Sequence, residues 1–516
     1  MKALRNLTKE DGFFQFIGII LIGLLIFTGL GYMRWGADEA YEAVLEKHRL
    51  QAYYAAHAGI MDIAFSSLRG LAPSEIPQDP AYLGRTNVSE VAGGLVGYAD
   101  VSLQPNPNSS SSVFNDTKAI EYRSHGVVQF KNSEGRMDTV SDEVSLKVRM
   151  LGLNHFFYLT DSEKTPFGEV IKFWQGDTLE GWVHSNDTIA IMGNPVFYDR
   201  VTTVAPVFWQ GTGFNPQFIN YDPQFNYREI YLPTEATLVR EAANAQGFFF
   251  ADPQHNTQYR LQFRGNQGWM MYSWPVGMPF VPEEAQITYG PVPDYDAIFV
   301  DGYLEMLGVV AGKVTVGAHG SYEPGALGKH CIRLMDDIRY WFADPYTGAY
   351  NDTTGGYEDI LGIISESNIT IANTWENGRE DKAQGSDIII NAAMVALGDD
   401  NDPGYSSFWG CFSFEDQNEA DGGLTLDPII WEWYNGSYEC PLPPAGPQSD
   451  ERGFIRLYGA VSQRMRGYVH RSNHNGTGYL KDYHFDDRLQ YMAPPFFVEA
   501  VDSEGKGFYE IVKWDN

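Results

Sequence analysis

The sequence predicts a mainly β protein with a long N-terminal α-helix, a small antiparallel sheet and a large parallel β-helix, or solenoid. Residues 13–33 form an apolar run without a charged residue, and a helical pattern continues to about residue 68. After residue 151, short segments rich in β-branched residues recur between Gly, Asn and Asp turns. Aromatic residues make up 14% of the chain and glycines number 53, which suits short strands and tight turns better than a helical body.

The charge balance is strongly acidic, with 36 Lys and Arg against 67 Asp and Glu and a formal net charge of -31. A surface with this charge repels nucleic acid and anionic lipid, so we expect no nucleic-acid partner. At 516 residues the chain is long enough for several domains.

The apolar run is long enough to cross a membrane, because about 20 apolar residues at about 1.5 Å each span the bilayer core. With the amphipathic stretch that follows, it predicts a rod of roughly 55 residues, about 80 Å long. A cleaved secretory signal is disfavoured, since its apolar core would be shorter and a small-x-small site would follow it. A plain signal anchor fits the pattern, and so does a helix that assembles with other chains.

The start of the apolar run favours the second alternative. Gly12 ends a polar leader, residues 1–12, and Phe13 opens the run. This resembles a type IV prepilin, in which a prepilin peptidase cuts after the glycine and leaves an N-terminal phenylalanine. The resemblance implies that the helix of residues 13–70 lies in the inner membrane before assembly and then packs in a filament core. The residues that would form this apolar surface are Phe14, Phe16, Ile17, Ile20, Leu24, Phe27 and Leu30.

One departure from the prepilin pattern bears on whether the chain is a major or a minor subunit. Ile17 stands where major pilins carry a glutamate. The missing carboxylate favours a minor, initiating or tip subunit, and it leaves open a filament made of this subunit alone.

Later in the helix, small residues follow a pair of tyrosines in the block QAYYAAHAGI, residues 51–60. This block resembles the end of the helix in PilX-like minor pilins, where it packs onto the globular part. Small residues permit such close approach. The predicted packing residues are Tyr53, Tyr54, Ala55, Ala58 and Gly59. His57, where a carboxylate is common, is interpreted as a helix-surface or interface residue.

Residues 71–150 predict a small sheet on the exposed half of the helix. Loop-rich segments surround strand-like runs at residues 94–103, 119–131 and 137–150, with a turn at residues 132–135. Alternating apolar and polar residues on both sides of that turn indicate an antiparallel meander. We therefore expect residues 71–150 to complete a pilin-like module.

Residues 151–516 predict the β-helix, because short strands with β-branched centres follow one another without clear hairpin turns. A β-sandwich is the alternative, since it also uses short strands. Residues 210–296 break the pattern and are interpreted as an insertion with a short helix at residues 234–245. The expected inward-facing residues include Val314, Val316, Ile388 and Ile390.

Several of these segments together resemble large PilX-like envelope proteins, which carry an uncharacterised β-helical domain behind a prepilin helix. The similarity covers roughly residues 13–70 and most of 151–516, and the block at residues 478–497 is its most specific part. The resemblance implies a location and an architecture. It implies no catalytic residue.

The residues themselves give no strong catalytic candidate. A glycosidase or lyase site needs carboxylates that converge on one bond, whereas adjacent residues of a strand point to opposite faces. Asp337 is interpreted as a turn residue at the end of a strand. The pairs considered are Asp336-Asp337 beside Arg339, and Asp486-Asp487 beside Arg488.

We also expect no cofactor. Asp399 to Asp402 superficially suggest a calcium loop, but Pro403 takes the place of an oxygen ligand and no glutamate follows in register. An irregular calcium site there and a solvated turn both remain open. The histidines at positions 470, 474 and 484 are interpreted as surface residues.

The three cysteines are too few for a disulfide framework. A bridge between Cys411 and Cys440 is one arrangement outside the cytoplasm, and three buried thiols, with Cys331, are the other.

Aromatic clusters leave a sugar-binding alternative open. They either form exposed stacking platforms or cover the ends and insertions of the solenoid. The clusters are Trp341-Phe342, Trp431 with Trp433 and Tyr434, and residues 479–491.

Taken together, the sequence predicts a non-enzymatic subunit of an extracellular type IV pilus-like filament. Its expected partners are other pilin subunits or itself, the prepilin peptidase, and the bacterial inner membrane before assembly. An anchored surface protein that binds or cleaves polysaccharide is the first alternative. The main subunit of a homopolymeric filament is the second.

Overall fold

A computed structural model describes residues 9–515, except residues 78, 92–94, 106–118, 133–134, 166–167, 255, 321–331, 351–358, 375, 378–386, 399–408, 416–431, 435–436, 440–450 and 472–476. Strands take 46% of the residues and helices 20%, so the chain is mainly β, as predicted. It divides into two compact units. The first unit comprises Met1–Ser110, Thr117–Arg149 and Tyr509–Asn516, and the second comprises Ser111–Asp116 and Met150–Phe508.

The helices and strands are numbered in chain order. The α-helices are α1 (Lys9–Gly59), α2 (Phe65–Gly70) and α3 (Thr237–Gln246). The strands are β1 (Ala81–Val91), β2 (Leu95–Pro105), β3 (Ala119–Lys131), β4 (Met137–Met150), β5 (Tyr158–Ser162), β6 (Thr178–Leu179), β7 (Val183–Ser185), β8 (Ala190–Ile191), β9 (Val196–Phe197), β10 (Val201–Thr203), β11 (Trp209–Gln210), β12 (Gln217–Phe218), β13 (Phe249–Ala251), β14 (Thr257–Arg264), β15 (Trp269–Pro275), β16 (Gln286–Gly290), β17 (Asp294–Asp301), β18 (Leu304–Val310), β19 (Lys313–Ala318), β20 (Ile332–Tyr340), β21 (Ile360–Ser365), β22 (Ile369–Ile371), β23 (Ile388–Ala396), β24 (Phe412–Phe414), β25 (Glu432–Tyr434), β26 (Ser437–Glu439), β27 (Glu451–Met465), β28 (His470–Arg471), β29 (Thr477–Phe485) and β30 (Tyr509–Asp515).

The long N-terminal helix is confirmed. A π-helical turn at Ile60–Ala64 joins α1 to α2, so the helical backbone runs from Lys9 to Gly70. Ile60 and Ala64 of this turn are buried, whereas Met61 is exposed.

The sheet of the first unit has the order β1-β2-β3-β4-β30. Strands β1 to β4 pair antiparallel. Buried residues alternate in β4, where they include Val144, Leu146 and Val148, as expected for a strand with one covered face. The sequence placed residue 150 at the end of this module, but the C-terminal strand β30 also belongs to it.

Parallel pairing dominates the second unit. Nine strands form one continuous parallel ladder in the order β13, β17, β19, β21, β23, β27, β5, β7 and β10. One row of paired residues through it reads Phe249, Phe299, Gly317, Ile364, Val395, Ser462, Leu159, His184 and Thr202. Since β5 lies beside β27, the chain enters this ladder in the middle, next to one of its own late strands.

Further parallel ladders accompany the first, among them the pair β27 and β29. One has the order β14, β18, β20, β22 and β24. Strands β6, β9 and β12 form a second, and Phe173 with β8 and β11 forms a third. The region 210–296 contributes α3 and the antiparallel strands β14, β15 and β16. The predicted inward-facing residues Val314, Val316, Ile388 and Ile390 are fully buried.

One cluster of buried charges in the second unit is paired. Arg333 donates to both oxygens of Glu415 at 2.5 and 2.8 Å and to Glu305 at 3.0 Å. Arg260 in turn donates to Glu305 at 2.6 Å. Arg260, Glu305 and Arg333 occupy one row of β14, β18 and β20, so charges alternate along this row. Pairing of this kind is what makes a buried charge tolerable.

Candidate functional site: the N-terminal helix and its packing on the sheet

The first part of α1 is an uncovered apolar surface. An 18-residue window of the helix Phe14–Gly70 has a mean hydropathy of 2.3, and none of that window is buried. Phe27, for example, is 81% exposed. By length and composition this helix is a candidate to cross a membrane. Apolar surface of this extent is stable only when lipid or another protein covers it.

The predicted helix residues lie on this surface. Phe14, Phe16, Ile20, Leu24, Phe27 and Leu30 are each more than half exposed, and Ile17 is partly exposed. Gly12 and Phe13 lie within α1, which begins at Lys9.

Five glycines lie in the first part of α1. A Cβ atom added at any of them would meet no atom of the chain within 4 Å; they are Gly18, Gly23, Gly29, Gly31 and Gly36. A glycine inside a helix costs about 1 kcal/mol relative to alanine. In membranes, glycines are enriched where two helices approach closely. These positions therefore offer another helix access close to the backbone of α1.

Further along, α1 packs on the sheet through small residues. Ala52, Ala55 and Ala56 are almost completely buried. A Cβ at Gly59 would lie 2.4 Å from Ser124 Oγ and 2.9 Å from Ala99 Cβ. The helix and the sheet therefore approach each other too closely for any larger residue at position 59.

The partner of this small-residue face is a glycine in β3. A Cβ at Gly126 would lie 2.0 Å from the Ala52 carbonyl oxygen and 2.5 Å from the Ala56 nitrogen. Both neighbours are helix backbone atoms, which cannot move as a side chain would. The backbone of α1 and the backbone of β3 are therefore in direct contact, with no side chain between them.

The two tyrosines of the block have different environments. Tyr53 is partly buried and packs against the core of the first unit. Tyr54 was predicted to pack as well, but it is 61% exposed, because the adjacent position lies about 100° around the helix. Ala58 is partly buried.

His57 contacts the C-terminal strand. The centroid of its ring lies 5.0 Å from that of Trp514 in β30 and 6.2 Å from that of Tyr53. Trp514 thus belongs to the site, although nothing in its local sequence indicates a partner so far away in the chain.

The first carboxylate pair lies in the middle of a strand. The register of β18 and β20 shifts between Met306 and Gly308, so Asp336 and Asp337 lie in a bulge of β20. The prediction that Asp337 is a turn residue at the end of a strand is therefore wrong. Asp336 accepts from the backbone N–H of Asp337, and Asp337 accepts from that of Ile389 at 2.8 Å. Burial raises the pKa of both carboxyls.

The second pair shapes a turn. Asp486 accepts from the Arg488 guanidinium at 2.9 and 2.6 Å and from its backbone N–H at 3.1 Å. The guanidinium also lies 3.6 Å from the ring centroid of Tyr350. Burial raises the pKa of the Asp487 carboxyl, and Asp486 adds to that effect. Asp486 thus has a structural role as a cap of this turn.

In the part of the chain that the structure describes, no group of three or more His, Cys, Asp or Glu residues is arranged to hold a metal ion. Asp399 to Asp402 lie outside the described residues, as do Cys331, Cys440 and His474. Cys411 is buried, and burial raises the pKa of its thiol. His484 lies between Glu180 and Asp482, with 3.0 Å to each carboxylate.

Two of the predicted aromatic clusters contain both exposed residues and buried or partly buried ones. Tyr479 is fully buried and donates to the Asn377 carbonyl at 2.5 Å, so it cannot stack on a ligand. Trp341 is 44% exposed, and its indole lies where a Cβ on Gly265 would be. Trp431 lies outside the described residues.

No protein-family model, curated protein or solved structure matches this chain.

Proposed function

We propose that the protein is a pilin-like subunit of an extracellular type IV pilus-like filament, as a minor, tip or surface-displayed component. One observation carries the proposal. A single helix is apolar and uncovered in its first part and is fixed to a sheet, backbone against backbone, in its second part.

This geometry supports assembly through the helix. Contact with the sheet begins near Tyr41, which donates to Asp138, and His48 stacks on Phe130 with 3.9 Å between ring centroids. The residues from 14 to 40 therefore extend for about 40 Å. Lipid covers this segment before assembly, and the helices of neighbouring subunits cover it afterwards, since the same apolar surface suits both environments.

The glycines favour a helix that packs with others over a plain anchor. In water each glycine inside a helix costs about 1 kcal/mol of helix stability. At a helix–helix contact the same glycines allow backbones to approach, and that contact offsets their cost.

Processing follows from the prepilin resemblance. The prepilin peptidase cuts after Gly12, so the mature subunit begins at Phe13. Ile17 in place of a glutamate supports a minor or tip position, where fewer neighbours surround the start of the helix.

The second unit is the displayed part. Its parallel ladders, with strands of two to nine residues in most places, support a β-helix in which each coil stacks on the next. Antiparallel pairing, which a sandwich requires, is confined to a few pairs among the described strands, notably β14 with β15 and β15 with β16. We assign to this unit a role in adhesion or as the coat of the filament.

The test is to replace Gly12 in the full-length chain and examine sheared filaments. Wild-type subunits should occur there with Phe13 as the first residue, by N-terminal sequencing. A Gly12→Val chain should keep its leader and stay in the membrane fraction, whereas Gly36→Ala, a control within the same helix, should be processed normally. An exported protein with an intact Met1 would contradict the proposal and favour a signal anchor.

A further inference from the structure

One surface of the second unit exposes two tryptophans on a flat parallel ladder. Phe173 pairs with Ile191, and Trp209 and Gln210 of β11 pair with Ala190 and Ile191 of β8. Phe173 and Ile191 are buried in the core. Because neighbours along a strand point to opposite faces, the residues beside them point outward. We call this surface the tryptophan face; its residues are Lys172, Trp174, Ala190, Met192, Trp209 and Gly211.

The indole of Trp209 lies flat on this face. A Cβ at Gly211 would be 2.9 Å from the Trp209 ring and 3.1 Å from Met192 Cβ, so the ring extends over the glycine. The Lys172 ammonium lies 5.4 Å from the centroid of the Trp209 ring, above the small Ala190. The glycine and the cation thus hold one side of the indole, while 46% of the residue remains exposed.

Trp174 completes the pair. It lies two strands away from Trp209 and is 45% exposed. With strands about 4.8 Å apart and residues about 3.3 Å apart along them, the Cα atoms of the two tryptophans are roughly 12 Å from each other. Between them lie Met192 and Gly211, which are partly exposed, and Ala190, which is fully covered. Val207, 60% exposed, extends the face by one residue on the Trp209 strand.

We propose that the tryptophan face binds a neutral oligosaccharide. The apolar C–H faces of pyranose rings stack on flat, exposed indoles, and two indoles at this separation hold successive rings of one sugar chain. The Lys172 ammonium beside Trp209 offers a hydrogen-bond donor to sugar hydroxyl groups.

The charge and the size of the tryptophan face favour a neutral oligosaccharide over other ligands. The face carries one ammonium, from Lys172, within a chain of formal charge -31. The Asp177 carboxylate beside it is largely buried and accepts from the Trp174 N–H at 2.9 Å and from the Lys481 ammonium at 3.2 Å, so it is not offered to a basic peptide. The chain as a whole repels nucleic acid, anionic lipid and acidic polysaccharide. A large aromatic side chain covers 150–250 Å². Two half-exposed indoles therefore present roughly 200 Å², far less than the ~800 Å² that each protein contributes to a stable interface.

The experiment measures sugar binding by the full-length protein in detergent, so it does not depend on filament assembly or on the proposed pilin-like function. The probes are cellohexaose, chitohexaose and maltohexaose, with hexagalacturonate as the acidic comparison, studied by calorimetry. At least one neutral probe should bind and hexagalacturonate should not. Trp209→Ala and Trp174→Ala should each weaken binding by roughly tenfold, and Trp209→Phe should weaken it less.

The matched control is Trp341→Ala, which removes a tryptophan of similar exposure from a different surface. It should leave the affinity unchanged, and circular dichroism verifies the fold of every variant. The absence of binding by all neutral probes would overturn the proposal. Equal binding by wild type and Trp209→Ala would do the same.

Discussion

The contact between α1 and β3 predicts a large effect for the smallest substitution, Gly126→Ala. The added Cβ would lie 2.0 Å from the Ala52 carbonyl oxygen, about 1.4 Å inside an ordinary contact of 3.4 Å. Because the Ala56 nitrogen lies at 2.5 Å on the same side, the helix can relieve the clash only by moving away from the sheet as a whole.

The magnitude follows from that displacement. Overpacking of a tight core costs about 1–3 kcal/mol, and a shift of this size also separates Ala52, Ala56 and Gly59 from the sheet. We expect the upper end, about 3 kcal/mol, which corresponds to roughly 150-fold faster exchange of the amide hydrogens that only the packed helix protects. Residues 51–59 should show this change in hydrogen exchange of the full-length protein in detergent.

Gly97→Ala is the matched control. Gly97 lies in the neighbouring strand β2, where a Cβ would meet Val88 at 3.6 Å and Val128 at 3.8 Å, both ordinary distances. This variant should be neutral or more stable by up to ~1 kcal/mol, because alanine loses less backbone entropy on folding. Unchanged protection of residues 51–59 in Gly126→Ala would refute direct contact between the two backbones.

Three further predictions concern the second unit. His184 is buried beside Thr202 and Asn186, and burial lowers its pKa from 6.5 to about 4. Because the folded state disfavours the imidazolium, the free energy of unfolding should fall by about 1.4 kcal/mol per pH unit from pH 6.5 down to about pH 4. Hydrogen exchange of β7 should show this slope in the wild type and not in His184→Gln. Asp336→Asn should raise the melting temperature at pH 7, because burial raises the pKa of this carboxyl and so penalises its charge, and the gain should vanish as the pH falls below 3.8. Glu415→Gln should cost about 3 kcal/mol in denaturant unfolding, since Arg333 loses one of its two buried carboxylates, and an unchanged midpoint would contradict a role for that pair.

The local sequence pattern was sufficient to predict the long N-terminal helix. The absence of charge over residues 13–33 and the absence of proline up to Pro73 predicted one long rod, and both are properties of consecutive residues. The same holds for Val314 and Ile388, which alternate with other residues in short β-branched runs and are buried.

Pairing over long distances was not predictable. Strand β30 joins β4 although more than 350 residues separate them, and β5 lies beside β27 because the second unit begins in the middle of its own ladder. No local signal records such neighbours, since any strand with an apolar face satisfies the same pattern.

The direction in which side chains point was also not predictable from the sequence. Tyr54 is adjacent to Tyr53 in sequence, but only one of the two faces the sheet, and a motif of residue types does not state which one. The bulge at Asp336 and Asp337 likewise depends on the opposite strand β18, whose register shift is invisible in the sequence of β20. The tryptophan face depends on both, because it combines three strands and a glycine that leaves room for a ring.

The central claim is that other subunits cover the apolar part of α1 in the assembled filament. A Phe27→Cys variant tests it most directly, because this side chain is 81% exposed in the single chain. In sheared, membrane-free filaments, a membrane-impermeant maleimide should fail to label this cysteine beyond the level of the parent chain. Tyr346→Cys, 82% exposed in the second unit, should be labelled in the same sample. Labelling of position 27 to the same extent as position 346, or absence of the chain from the filaments, would contradict the account.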